Sequence, residues 1–135
     1  MNYPLKHIDG MTTFLENKLK SIGIRTTEKL LAAAGTVKGR KKLAEMTGIP
    51  EHQWLDWANN ADVMRIKGLG SEIAKLLRRA GVTTVGELSL RNPKNLVEKL
   101  VQANDKHKLT RNRPTEKSVG LLIERAKKLP RKITY

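Results

Sequence analysis

The stretch Met64-Arg65-Ile66-Lys67-Gly68-Leu69-Gly70-Ser71-Glu72-Ile73-Ala74 sets a Gly-x-Gly turn between two segments of helical pattern. Gly68 allows backbone angles that a side chain forbids, and Gly70 lets another backbone or a phosphate approach closely. With a helix starting at Ser71, the N–H groups of Leu69, Gly70 and Ser71 lack intrahelical acceptors and are expected to point outward. Such a helix start is a ready anion site, and the helix dipole adds to it. On a helical wheel of about 100° per residue, Ile73, Ala74, Leu76, Leu77 and Ala80 share one broad apolar arc. Ser71, Lys75 and Arg78 fall on the opposite side, and Lys67 sits in the turn itself. Amides and side chains together would form a strip able to follow a phosphate backbone. The same residues also fit a solvated helix face beside a purely structural turn.

Other groups invite chemistry less strongly. Lys38-Gly39-Arg40-Lys41-Lys42 is a basic cluster at a helix start, a secondary phosphate contact or simply a solvated face. It is not a P-loop, because no Gly-Lys-Ser/Thr follows at the required spacing. Asp105 to Arg113 carries Lys106, Lys108, Arg111 and Arg113, and a mobile basic loop beside the turn would clamp DNA or RNA. The run Lys127-Lys128-Leu129-Pro130-Arg131-Lys132 reads as a further contact or a frayed basic end. Trp54 and Trp57 could stack on bases, but their helix needs a core face; core packing is the stronger reading, with Trp54 the better candidate for partial exposure. His7, His52 and His107 are scattered without partners at ligand spacing, so no metal site is expected.

Helices must position these groups, and period-3.6 patterning dominates the chain with no convincing alternating strand. The expected helices span 13–22, 26–33, 38–47, 50–61, 71–80, 84–89, 92–103 and 115–129. Asn92-Pro93 reads as an N-cap followed by proline at the first helical position. Gly48 reads as a C-terminal stop, with Pro50 opening the next helix. Over 115–129 an apolar stripe of Val119, Leu122, Ile123, Ala126 and Leu129 leaves Lys117, Arg125 and Lys128 toward solvent.

The chain also repeats itself. A shift of 58 residues lays Ile8-Asp9-Gly10-Met11 on Ile66-Lys67-Gly68-Leu69, Gly23-Ile24 on Gly81-Val82, and Thr26 on Thr84. After a one-residue gap Lys42-Leu43-Ala44 meets Lys99-Leu100-Val101, and helix 50–61 then corresponds to helix 115–129. Apolar positions and glycines coincide together, so the chain divides into two copies of one helical unit, 1–62 and 63–135, packed as one compact all-α body. Copy 1 is incomplete: Asp9 replaces Lys67, Thr12 replaces Gly70, Asn17 replaces Lys75, and Met1 to His7 is too short for a normal first helix. Its expected role is to pack against copy 2.

Ile66-Lys67-Gly68-Leu69-Gly70, followed by Ala74 and Leu77, resembles the helix-hairpin-helix motif. The whole chain, over about residues 8–129, is similar to small bacterial proteins of unknown function built from two such SAM-like units. The resemblance implies that hairpin amides hold a nucleic-acid phosphate, typically in the minor groove and without regard to sequence. In some related hairpins a potassium or sodium ion sits on the hairpin carbonyls. Some base-excision glycosylases with this hairpin carry a catalytic Asp beyond it, but Gly81 to Asn95 contains only Glu87, so no enzyme activity is expected.

Charge narrows the partners. The 135 residues hold 27 Lys plus Arg against 13 Asp plus Glu, a net charge of +14. Residues 1–62 contribute nine cations and seven acids, and residues 63–135 eighteen and six, a bias of +12 in copy 2. Such self-repulsion points to a polyanionic partner. Absence of cysteine excludes disulfide scaffolds, thiolate metal sites and thiol nucleophiles. No membrane span or signal peptide is apparent, which suggests a cytoplasmic protein, nucleoid-associated in a bacterium. The expected function is sequence-non-specific nucleic-acid binding, DNA favoured over RNA, through Lys67, Gly68, Leu69, Gly70, Ser71, Lys75, Arg78, Lys106, Lys108, Arg111 and Arg113. No cofactor or small-molecule substrate is implied. The alternative is a protein-interaction module docking an acidic partner.

Overall fold

The computed structural model describes residues 2–135; the reading of the first seven residues as non-helical includes residue 1, which lies outside that range. The described chain is all-helical. A 3-10 turn at Leu5–His7 precedes α1 (Thr13–Ser21), α2 (Thr27–Ala34), α3 (Val37–Thr47), α4 (Glu51–Val63), α5 (Gly70–Arg79), α6 (Val85–Ser89), α7 (Pro93–His107) and α8 (Glu116–Lys128). One isolated antiparallel bridge, Pro4 to Thr26, is the nearest thing to a strand among the described residues.

Local chemistry explains most helix starts. Thr12, Thr26, Thr36, Thr84, Asn92 and Thr115 each take an extended or nearly extended backbone and accept an N–H of the first turn on a side-chain oxygen. Pro93 follows Asn92 at the first helical turn as expected. Gly48 ends α3 at φ +74°, where a left-handed backbone suits glycine. Pro50 stands one place outside α4 in extended backbone and not inside its first turn. The clearest boundary difference is α7, which runs to His107 because Ala103 and Asn104 still face the core.

Packing follows the chain order twice. Helix α2 lies on α4 as α6 lies on α8, and α3 lies on α4 as α7 lies on α8; α4 and α6 join the halves. Backbone angles agree at corresponding places: φ is +80° at Gly10 and +83° at Gly68, and +89° at Gly23 and +87° at Gly81. Trp54 and Trp57 are both enclosed, edge to face with ring centroids 5.1 Å apart. Trp54 is thus a core residue, with no surface left for stacking on a base. No helix among the described residues is long and apolar enough to cross a membrane.

Both ends of the chain are tied to the first half. Asn2 Oδ1 accepts from Glu28 N–H at 3.0 Å, and Tyr3 exchanges bonds with Thr27. The segment after α8, read as a contact or a frayed end, instead lies as a strap over α2–α4. Ile133 is buried, Thr134 N–H donates to Gly35 O at 2.8 Å, and Tyr135 OH donates to Asn59 Oδ1 at 2.9 Å. Arg40 is buried as well, donating to Ala34 O and Thr134 O. It therefore leaves the basic cluster 38–42 and serves the strap.

Candidate nucleic-acid interface

The turn between α4 and α5 is built from the core outward. Met64, Ile66 and Leu69 are buried and anchor it, while Lys67 and Gly68 are exposed. Gly68 and Gly70 both have positive φ, +83° and +75°, so two left-handed residues flank a buried leucine. Leu69 N–H donates to Ile66 O at 3.2 Å, which closes the turn internally. That amide is not free, contrary to expectation. The N–H groups of Gly68, Gly70 and Ser71 have no acceptor among the described residues, and no side chain caps α5.

The first half makes the contrast clear. Gly70 corresponds to Thr12, whose hydroxyl caps Leu15 N–H at the start of α1. The start of α1 is thus filled by its own side chain, and the start of α5 is left open. Asp9, corresponding to Lys67, turns its carboxylate to α5: Oδ2 accepts from Arg79 at 2.7 Å and from Arg78 at 3.3 Å.

That contact removes Arg78 from the expected phosphate strip. Its guanidinium also donates twice to Asp56, at 2.9 and 3.1 Å. Burial works against the charged form, but Asp56 first and then Asp9 outweigh it, so the Arg78 pKa rises above its ordinary value. Burial likewise acts to raise the Asp9 pKa, yet Arg79 and then Arg78 prevail and hold it below the ordinary aspartate value. Arg78 was chosen by its angle on the wheel, and no local signal announces two carboxylates 22 and 69 residues away.

Of the other expected cations, all but Arg113 are without an ion pair among the described residues. Lys67 is exposed in the turn, and Ser71 and Lys75 are half-buried on α5; no carboxylate among the described residues pairs with Lys67 or Lys75. A hollow beside the first turn of α5 is lined by Glu72, Asn104, Asp105, Lys108 and Arg111, so the insertion lies next to α5. It is held in place: Asn104 Nδ2 donates to Thr110 O, and Thr110 N–H donates to Asn104 Oδ1, both at 3.0 Å. Lys108 ends α7 in a left-handed backbone, with its N–H on Asn104 O at 2.7 Å. Lys106, Lys108 and Arg111 are exposed without ion pairs, whereas Arg113 meets Asp105 at 3.5 Å. Two carboxylates also line this hollow: Glu72, in the first turn of α5 where it favours the helix start, and Asp105, which meets Arg113.

Arg125 is a further residue that the sequence pattern misplaced. Expected to face solvent, it reaches from α8 to donate to Lys67 O at 2.6 Å. A Cβ on Gly68 would lie 2.8 Å from its Nη1. The carbonyl side of the turn is thus occupied by a guanidinium. No group of three or more His, Asp or Glu that could hold a metal ion occurs among the described residues.

Comparison with known families adds an assignment of kinship. The family model described as "Domain of unknown function (DUF4332)" matches residues 9–129, and the chain belongs to that family. No curated protein and no solved structure matches it.

Proposed function

We propose that this DUF4332 chain binds nucleic acid without reading its sequence, duplex DNA by preference, and that the Lys67–Ser71 turn works as a helix-hairpin-helix phosphate site. The observation that carries this reading is the uncapped start of α5. Its N–H groups at Gly70 and Ser71, with that of Gly68, lack protein acceptors, while Thr12 supplies a cap at the corresponding place in α1. Converging amides at a helix start suit a phosphate oxygen. Lys67 and Lys75 add charge along the strip, Lys108 and Arg111 line the adjoining hollow, and Lys106 is exposed on the last turn of α7.

With Arg78 engaged by Asp56 and Asp9 and Arg113 by Asp105, the cations Lys67, Lys75, Lys106, Lys108 and Arg111 remain to neutralise about four or five phosphates. The log–log dependence of affinity on salt then has a slope of about −4. Contacts of this kind position a protein on the backbone and carry no base information. The test is fluorescence anisotropy with duplex DNA, single-stranded DNA and RNA of mixed sequence over a salt series. Retention of an acidic protein partner with no nucleic-acid binding at low salt would favour the interaction-module alternative. In this reading the protein binds and does not catalyse, and it acts in the cytoplasm, on the nucleoid in a bacterium.

A further inference from the structure

The bond from Arg125 to the turn has a consequence for the turn's outward face. We infer that Arg125 is a positioning residue of the phosphate site: it fixes the Lys67–Gly68 peptide so that Gly68 N–H faces solvent. This rests on the proposed phosphate site and deepens it. Arg125 Nη1 donates to Lys67 O at 2.6 Å. No peptide bond among the described residues is cis, and in a trans peptide the N–H points opposite to the preceding carbonyl. Holding Lys67 O toward α8 therefore turns Gly68 N–H away from it. That N–H has no protein acceptor, and Gly68 is exposed.

Glycine at 68 is part of the same device. Its φ of +83° disfavours a side chain, and a Cβ would meet Arg125 Nη1. In the first half, Gly10 has a similar φ of +80° with open space around it. Counted from the helix starts at Glu51 and Glu116, Asn60 holds the place in α4 that Arg125 holds in α8, and the Asp9 carboxylate is drawn to α5. A left-handed glycine alone makes the bend; the guanidinium sets which edge of the peptide is presented. A charge-assisted bond to a carbonyl is among the stronger ones available for this.

The test compares the wild type with Arg125→Met, which removes the donor, and Arg125→Lys, which keeps the charge and one donor. With duplex DNA, Arg125→Met should bind about tenfold more weakly at fixed salt, the net worth of one charge-assisted hydrogen bond. Its salt slope should equal that of the wild type, and Arg125→Lys should recover part of the loss. A slope shallower by about 0.9 would show that Arg125 is itself a phosphate contact, and equal affinity would show that it does nothing for the site; either overturns the inference. The Gly68 amide resonance gives a readout in the free protein. It should move in Arg125→Met and return toward its wild-type position in Arg125→Lys. If the wild type binds no DNA, the phosphate-site reading fails by itself. The free-protein resonance then judges the positioning claim, which an unmoved Gly68 amide overturns.

Discussion

At the scale of single residues, the same side chain can serve a partner or the fold, and geometry decides which. Arg78 sits at the right angle on α5 to meet phosphate, yet Asp56 and Asp9 hold it. Its expected contribution is therefore to stability. Asp9 gives the matching pH dependence. Its folded pKa lies below the unfolded value, so its stabilisation is present above the ordinary aspartate pKa of 3.8 and is lost as pH falls through the lower folded value. Asp62 acts with the opposite sign: burial outweighs the Arg65 bond and the field of Lys132, raising its pKa, so its contribution is lost as pH rises through that value. Asp9→Asn should cost about 1–2 kcal/mol at neutral pH, a figure reduced for solvent screening of these partly exposed groups. Urea unfolding at several pH values should show that difference shrinking below pH 3.8.

At the scale of elements, Gly68 and Gly10 offer a paired comparison. Both are left-handed, so alanine at either should cost about 1–2 kcal/mol in backbone strain. The group that a new Cβ on Gly68 meets is the mobile end of Arg125, which would swing aside and release Lys67 O. Gly68→Ala should therefore weaken DNA binding while Gly10→Ala leaves it unchanged; equal effects on binding would contradict this. Helix positions were legible in the sequence because they rest on local signals: threonine or asparagine caps, glycine stops and a period-3.6 apolar pattern. The Gly-x-Gly turn was legible for the same reason. Arg125 on Lys67 O and Asn104 on Thr110 were not. The first bond spans 58 residues, and the second depends on how far α7 runs, so neither leaves a pattern in its own segment. Leu69 N–H was misread because its acceptor, Ile66 O, exists only once the turn has closed.

At the scale of the whole molecule, the charge division changes on folding. Asp9, Asp56 and Asp62 of residues 1–62 pair with Arg79, Arg78 and Arg65 of residues 63–135. Setting those three pairs aside leaves nine cations against four acids in the first part and fifteen against six in the second. The excess in residues 63–135 persists, but it is smaller than the sequence bias of +12 because three acids of residues 1–62 pair with its arginines. The strap ties the halves again, through Ile133 in the core and Thr134 on Gly35. A Cβ on Gly35 would lie 2.7 Å from Lys132 O, so glycine there admits the strap. Ile133→Ala should cost about 2–4 kcal/mol with little change in DNA affinity, measured by urea unfolding and anisotropy on the same samples. The central claim is that the α5 start and its lysines hold phosphate. Its most direct test is salt-titrated anisotropy on duplex DNA with the wild type and with Lys67→Glu plus Lys75→Glu. We predict a wild-type slope of about −4, with affinity in the double variant lowered at least tenfold and its slope shallower by about 2. Unchanged affinity and slope in a folded double variant, or no binding by the wild type at low salt, would contradict it.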